Sequence, residues 1–359
     1  MLYHIFNALR ENYSFLNVFR YQTFRSMFAF ILTFFLVLVL ERHFISWFSQ
    51  KYLGQPIRED GPQSHLSKKG TPTMGGIVVV LVVLIVTFLF SDLLNIYVWC
   101  IMGITAGYAG LGFADDYFKV KVQNSKGVSA KTKLSWQFGL AVFFSVVIYF
   151  FGNPSLLSLT VPFVKNTEIH LGILFIPFAT LVIVGSSNAV NLTDGLDGLV
   201  IGPVMTVALT YGVLAYLSGN ENISQYLNIT HIAGLGELAI FAAAVIAGGL
   251  SFLWFNSFPA QVFMGDVGAL ALGGAIGMIA VLTKQEILLI ICGGVFVIEA
   301  LSVIAQVLSF KLTGKRIFKM APIHHHFELK GIAEPKIIVR CWIISIVLAV
   351  IALSSLKIR

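Results

Sequence analysis

Long apolar runs, broken by short polar segments, set the pattern of the chain. Ten runs stand out, at approximately 26–45, 75–91, 97–114, 134–152, 172–190, 198–218, 236–254, 267–283, 287–310 and 337–356. A helix crossing a bilayer needs about 20 apolar residues, with a lower limit near 17, so each run is read as one span. The expectation is an all-α fold: a polytopic integral membrane helical bundle of ten transmembrane helices, forming a single catalytic-size unit over residues 1–359. An even number of spans puts both termini on one side of the membrane. Between the fourth and fifth runs, Asn153–His170 alternates apolar and polar positions (Leu-Ser-Leu-Thr-Val-Pro-Phe-Val), which predicts a small hairpin outside the bilayer. Met1–Tyr21 carries Arg10, Glu11 and Arg20 and has no clean apolar core, so it is not read as a cleavable signal peptide.

Composition agrees with the pattern. The chain is 57% hydrophobic and only 11% charged, with a mean hydropathy of +0.86, and a soluble protein of this length would need far more polar surface. The three cysteines, Cys100, Cys292 and Cys341, lie in or beside apolar runs without pair spacing. They read as small core hydrophobes, not as a disulfide frame or metal site. The net charge of +7 does not call for nucleic acid, because Lys and Arg mark the cytoplasmic loops of membrane proteins and the anionic leaflet they face. Their distribution orients the bundle. Clusters follow the first run (Arg42, Lys51, Arg58, Lys68, Lys69), the third (Lys119, Lys121, Lys126, Lys131, Lys133) and the ninth (Lys311, Lys315, Arg316, Lys319, Lys330, Lys336, Arg340). The opposite side holds only Arg10, Arg20, Arg25, Lys165, Lys284, Lys357 and Arg359. The five odd-numbered loops are therefore expected in the cytoplasm and both termini outside it.

Four polar clusters fall on that cytoplasmic side. Gly112-Phe-Ala-Asp-Asp116 closes the third run and Asn191-Leu-Thr-Asp-Gly-Leu-Asp-Gly198 closes the fifth. The stretch Asn256-Ser-Phe-Pro-Ala-Gln-Val-Phe-Met-Gly-Asp266 joins the seventh to the eighth, and Pro322-Ile-His-His-His-Phe-Glu328 follows the ninth. Asn and Asp cap helix ends, but charge beside hydrocarbon is costly and marks functional groups. Capping alone would scatter acids over both faces, so their segregation points to one shared site. Asp115 and Asp116 repel each other and, at a helix C-terminus, oppose the dipole, which suits them to a cation or a substrate proton; the plainer reading is a solvated helix end neutralised by Lys119 and Lys121. Asp194 and Asp197 can share one face of a turn, within reach of Asn191. Asp266 lies between Gly265 and Val267-Gly268, where absent side chains let backbone approach a metal or a phosphate.

Carboxylates and amides without soft ligands select Mg²⁺ or Mn²⁺ over zinc, and such an ion commonly neutralises a diphosphate in phosphoryl transfer. Lys119, Lys121, Lys131, Lys133 and Lys68, the last near Thr71 and Thr73, supply the basic complement. Three consecutive histidines point apart in helix or strand, so a zinc site is disfavoured against contact with phosphate or the orienting of an acid. Phe263 either stacks on a base or is an ordinary interfacial aromatic. Glu299, with Gln306 on the same helix face, is the only clear mid-span acid; an interhelical hydrogen bond is its commoner explanation, and it is left outside the site.

Taken together, Asp115-Asp116, Asn191-x-x-Asp194-Gly-x-Asp197-Gly, Asn256-x-x-Pro-Ala-x-x-Phe-Met-Gly-Asp266 and the histidine loop resemble the polyprenyl-phosphate N-acetylhexosamine-1-phosphate transferases, from about Thr71 to Arg340. Thr71-Pro-Thr-Met-Gly-Gly76 and Ala321-Pro-Ile-His-His-His-Phe-Glu-Leu-Lys-Gly331 look like the branch of that family that handles muramoyl-pentapeptide. The resemblance implies that UDP-N-acetylmuramoyl-pentapeptide reacts with undecaprenyl phosphate, with Mg²⁺, to give the undecaprenyl-diphospho sugar and UMP. It implies a homodimer in the bacterial cytoplasmic membrane, with the active site facing the cytoplasm. Asp266 would then ligate Mg²⁺, and Asp115 would act as base on the lipid phosphate with Asp116 beside it. Asn191, Asp194, Gly195, Leu196, Asp197, Asn256 and Phe263 would hold nucleoside and diphosphate. Lys68, Thr73, Lys131, Lys133 and His326 would line the pocket, with His324 and His325 in the catalytic set. A phosphate monoester is mostly a dianion above a second pKa of about 6, so a base matters less here than charge neutralisation and alignment. The rivals are a relative using UDP-N-acetylglucosamine and, from another class, an ion-coupled transporter, whose acids would be spread through the bilayer depth.

Overall fold

The computed structural model describes residues 1–51, 70–122, 127–164 and 167–357. A short helix α1 (Leu2–Leu9) precedes α2 (Gln22–Lys51), α3 (Gly76–Phe90), α4 (Ile96–Val122) and α5 (Ala130–Phe151). Strands β1 (Ser158–Thr160) and β2 (Glu168–His170) pair antiparallel, so the expected hairpin forms, and Lys284 Nζ ties it down by donating to Glu168 Oε1 at 2.8 Å. Then come α6 (Phe175–Thr193), α7 (Ile201–Gly219), α8 (Glu221–Leu227), α9 (Leu238–Asn256) and α10 (Gly265–Leu282). The chain ends with α11 (Glu286–Cys292), α12 (Gly294–Thr313), α13 (Ile323–Glu328) and α14 (Glu334–Ser354).

Among the described residues nine helices are long and apolar enough to cross a membrane. The second apolar run forms the shorter α3, whose 15 residues span about 22 Å against a hydrocarbon core of about 30 Å. Two boundaries differ from the expectation. The ninth run is not one helix: it breaks at Gly293-Gly294 into α11 and α12, because two successive glycines carry no side chain to favour the helical state. The third helix does not end at Asp115-Asp116 but continues to Val122, so these acids lie inside α4 and the dipole penalty expected at a C-terminus does not apply. Lys119 stands one turn after both acids and helps carry the helix through them.

Helix α10 is the axis of the bundle, with every residue from Val267 to Leu282 buried. Lipid tails are as apolar as leucine, so helices in a membrane gain little from hiding apolar surface from one another and rely on close packing of small residues. α10 supplies those residues. Gly273 and Gly277 lie against Ser187 and Ile183 of α6, Gly274 against Tyr108 of α4, and Gly268 against Gly76 of α3. At the end of α10 nearest the polar clusters, Gly112 of α4 meets the α10 backbone so closely that an added Cβ would sit 2.5 Å from Val267 Cα. At the other end, Arg25 and Glu237 form a buried bidentate pair at 2.6 and 2.7 Å that joins α2 to the start of α9, and the same carboxylate accepts the Asp92 N–H at 2.8 Å. Glu299 is not the only acid within a span: Glu41 of α2 is fully buried, with Oε1 beside Gly75.

Replacing Gly112 with Ala forces backbone to move, since the obstructing atoms belong to the α10 main chain. We expect Gly112→Ala to destabilise the bundle by about 1–3 kcal/mol, the usual range for overpacking. Thermal unfolding in detergent would show it, and an unchanged melting temperature would refute the claim that this contact is closed to side chains.

Candidate active site

The approach of α4 to α10 creates the site. Gly265 enters α10 with φ +74, a conformation that suits glycine, and its Cα lies so near Asp116 that a Cβ would be 2.5 Å from Oδ2. Asp266 follows in the first turn of α10. Asp116 Oδ2 accepts the Val267 N–H at 3.2 Å, and Asp115 Oδ1 accepts the Val128 N–H at 2.6 Å. One oxygen from each of Asp115, Asp116 and Asp266 falls within 4.8 Å of the others. Three carboxylates at that spacing need cations. Lys119 Nζ lies 2.5 Å from Asp115 Oδ2 and 3.1 Å from Asp266 Oδ2; Lys133 Nζ lies 2.8 and 2.7 Å from the same two oxygens.

The facing wall is the turn after α6. Asp197 donates its backbone N–H to Glu334 Oε1 at 3.1 Å and accepts the Ala260 N–H on Oδ2 at 3.0 Å, while Trp342 Nε1 donates to Gly198 O at 3.1 Å. A third wall comes from two extended segments laid side by side. The Phe263 N–H donates to Pro72 O at 2.8 Å and the Gly75 N–H to Phe263 O at 3.0 Å, which sets Thr73 beside Phe263. Asn256, the last residue of α9, donates Nδ2 to Val262 O at 2.7 Å. These walls enclose a cavity of about 200 Å³ lined by Thr73, Asp116, Asp194, Gly195, Leu196, Asp197, Asn256, Phe263, Gly265 and Asp266. Among the described residues Thr73 Oγ1 and Asn256 Oδ1 are buried there without a hydrogen-bond partner, an arrangement a polar ligand would complete.

The cavity thus has an acidic end and an amide-aromatic end. Burial, followed by repulsion from Asp266, Asp116 and Asp197, pushes the Asp194 carboxyl up to about 8. All the potential metal ligands are hard oxygens, which fits a Mg²⁺-type ion and not a soft-ligand metal.

The expected residues sort unevenly. Thr73, Asp116, Asp194, Gly195, Leu196, Asp197, Asn256, Phe263 and Asp266 line the cavity; Asp115 and Lys133 stand directly behind the acids. Lys68 lies outside the described residues. Lys131 is exposed and off the cavity, and Asn191 sits one turn back, its carbonyl accepting the Asp194 N–H at 3.3 Å. None of the three histidines lines the cavity. They diverge, as neighbours on one short helix must: His324 turns inward to Glu299, His325 Nδ1 pairs with Glu328 Oε2 at 2.6 Å, and His326 Nδ1 accepts the Lys319 N–H at 3.1 Å. They point apart as expected, and of the three placed at the site by resemblance only His324 comes near it, behind the turn at Gly195. Lys119, expected only as one of the basic complement, and Gly265, expected only as a glycine flanking Asp266, both belong to the site itself. The spacing of Lys119, three and four residues after the two acids, was the available signal.

A multi-pass helical bundle with an oxygen-ligand cluster beside an amide-and-aromatic pocket defines a membrane-embedded phosphate-type site. Residues 98–284, just over half of the chain, match glycosyl transferase family 4, and the chain belongs to that family. Over its full length it is similar to phospho-N-acetylmuramoyl-pentapeptide-transferases. It is 55% identical to that of Geobacter sp. (strain M21) over 359 residues and 54% identical to that of Citrifermentans bemidjiense, with all of both chains covered in each case. It is 51% identical to that of Pelagibacter ubique, again with complete coverage.

Two outcomes follow from this electrostatics. Lys133→Met leaves Asp115 and Asp266 undercompensated; because Lys133 is partly exposed, the loss of stability should be about 2 kcal/mol, below the 3–5 typical of a fully buried pair. Adding Asp115→Asn should recover part of the melting temperature, and a double variant no more stable than Lys133→Met would refute the pairing. Asp194 gives a pH signature. A carboxyl raised from 3.8 to about 8 keeps its proton in the folded state, so its contribution to stability is full below the unfolded value and lost as pH rises to the folded one. In protein stripped of divalent ions, Asp194→Asn should gain in melting temperature over the wild type between about pH 5 and pH 8; parallel curves would contradict the raised value.

Proposed function

We propose that this protein transfers phospho-N-acetylmuramoyl-pentapeptide from UDP to undecaprenyl phosphate, releasing UMP, at the cytoplasmic face of the bacterial cytoplasmic membrane. The observation that carries the proposal is the carboxylate cluster at one end of a cavity whose other end offers Asn256, Thr73 and Phe263. The full-length relatives supply the donor in their name. The position of the cavity, where apolar helices end, lets a nucleotide from water meet a phosphate carried in the bilayer. An apolar groove of about 250 Å³ between α6 and α11–α12, lined by Leu181, Val182, Gly185, Phe296 and Val297, gives a polyprenyl chain a path along the helix that ends in the Asp194 turn.

The chemistry is a displacement at phosphorus. An oxygen of the lipid phosphate attacks the sugar-bearing phosphorus of the UDP-sugar; the bond to the bridging oxygen breaks, and UMP leaves with that oxygen. Mg²⁺ held by Asp266 and Asp116 would supply neutralisation of charge on the diphosphate. Asp116 faces the cavity, whereas both oxygens of buried Asp115 are engaged, by the Val128 N–H and by Lys119 and Lys133. Asp115 then serves chiefly to hold the lysines, and Asp116 is the acid that meets the reactants. Lys119 and Lys133 lie where they can follow negative charge onto the diphosphate. Asp194, Gly195, Leu196 and Asp197 form the nucleotide side, with Phe263 available to stack on the uracil. The whole chain acts as one catalytic unit with both termini extracytoplasmic.

The decisive measurement is UMP release by purified protein from UDP-N-acetylmuramoyl-pentapeptide and polyprenyl phosphate, with and without Mg²⁺. Release only from UDP-N-acetylglucosamine would overturn the substrate, and ion flux without UMP release would revive a transporter. Asp266→Asn should lower kcat by about 10²-fold or more, as loss of charge stabilisation does, while the protein keeps its melting behaviour.

A further inference from the structure

Glu299 and His324 are both buried, and the reaction outlined above gives Glu299 no task. Glu299 lies in the second turn of α12, 2% exposed, and its Oε2 reaches across to the first turn of α13. There it accepts the His324 backbone N–H at 3.4 Å and lies 3.0 Å from His324 Nδ1. Before α13 the chain from Thr313 to Lys319 is mostly exposed and is tied to α12 by Gln306, which donates to Phe318 O at 3.0 Å and accepts the Ile317 and Phe318 N–H groups at 3.0 and 2.9 Å, so Glu299 adds a second, buried anchor at the start of α13 itself. The opposite edge of the same imidazole, 1% exposed, presses on the Asp194 turn: a Cβ on Gly195 would fall well inside contact with Nε2. Neither ring nitrogen makes a hydrogen bond among the described residues, so the 3.0 Å approach of Nδ1 to Glu299 Oε2 is a contact of proximity and Nε2 faces only the turn. The absence of a side chain at 195 therefore leaves room for this imidazole behind the turn.

We propose that Glu299 is a positioning residue, acting through His324 as a strut that sets the Asp194–Asp197 turn against the cavity. The proposal rests on the reading of that turn as the nucleotide wall. The mechanical logic is direct. The far end of the turn is held by Glu334 and Trp342 of α14, and Asp197 is tied to Ala260. Among the described residues the Asp194–Gly195 end is held by its own backbone, where the Gly195 N–H donates to Thr193 O at 2.9 Å, and by the imidazole behind it. A carboxylate that accepts the backbone N–H of a histidine at 3.4 Å and lies 3.0 Å from its ring nitrogen limits where that ring can sit. Removing it frees the ring to turn away and lets the turn relax backwards, enlarging the nucleotide side of the cavity. The acid cluster is untouched, because Asp115, Asp116 and Asp266 are carried by α4 and α10.

The test uses the full chain in detergent with saturating Mg²⁺ and measures UMP release against the concentration of UDP-N-acetylmuramoyl-pentapeptide. Glu299→Ala and His324→Ala should each raise KM about 10-fold while kcat stays within about 3-fold and half-saturation by Mg²⁺ does not move, the pattern of a lost uniform-binding contribution. The double variant should be no worse than either single one, because the two residues form one strut. Glu299→Gln keeps the volume and guards against misfolding; since the carboxylate is the claim, it should raise KM in the same direction. Additive effects in the double variant, a wild-type KM in Glu299→Gln, or a fall in kcat with KM unchanged would each overturn the proposal. No UMP release by the wild type would overturn the reading of the wall itself, which a wild-type KM in Glu299→Ala would leave standing.

Discussion

The constraint on which the rest depends is the backbone contact between α4 and α10 at Gly112 and Val267. In a bilayer the helices cannot rely on apolar burial to choose partners, so close approach has to be built from absent side chains. α10 is built that way along its length, with glycines facing α3, α4 and α6 in turn. At the end of α10 that bears Asp266, the same closeness puts this acid within ion-contact range of two others. Fold and chemistry are thus one packing decision: separating the helices enough for an alanine at 112 would also pull the third acid out of the cluster.

Bringing three carboxylates together creates the next requirement. Each loses water and repels the others, a penalty of several kcal/mol per ion that pairing only partly offsets. Lys119 and Lys133 provide the pairing from within the chain, one along α4 itself and one from the start of α5. Two ammonium groups against three carboxylates leave the cluster one positive charge short of balance. That residual negative field attracts a further cation. The lysines that stabilise the bundle without it are already placed to meet phosphate oxygens when such a cation brings them in. An acid cluster with no resident cations would threaten the fold; one fully neutralised by lysines would have no use for a metal.

Much of this was legible in the residue order, and the exceptions have physical causes. Ten apolar runs located nearly every long helix because hydropathy over about 20 residues is set by the bilayer and not by neighbours. The alternating stretch before His170 did form its hairpin. The break at Gly293-Gly294 was hidden because hydropathy averages over single residues, so a glycine pair inside an apolar run barely registers. The end of α4 was misread for the opposite reason: two adjacent acids look like a helix end, but Lys119 one turn later compensates them. Glu41 was submerged in the first apolar run in the same way. The cluster membership of Asp115, Asp116 and Asp266 followed from their side of the membrane. The separate fates of His324, His325 and His326 did not, since only the packing of α13 says which ring turns inward.

The two halves of the cavity are held by different means. The acidic half is fixed by helix-to-helix backbone contact and by charge pairing, neither of which can shift without disturbing the core. The other half is a short turn gripped from outside, by α14 at one end and by α13 at the other. Such a division suits a site that must hold charge rigidly while admitting and releasing a large soluble donor. Electrostatic stabilisation depends on groups that do not reorganise, whereas binding and release need a wall that can give. Glu299 falls at the junction between these halves: carried by α12, it reaches the Asp194 turn through one imidazole. In the proposed strut, a mid-span carboxylate that looks purely structural from its burial therefore acts on the wall of the site.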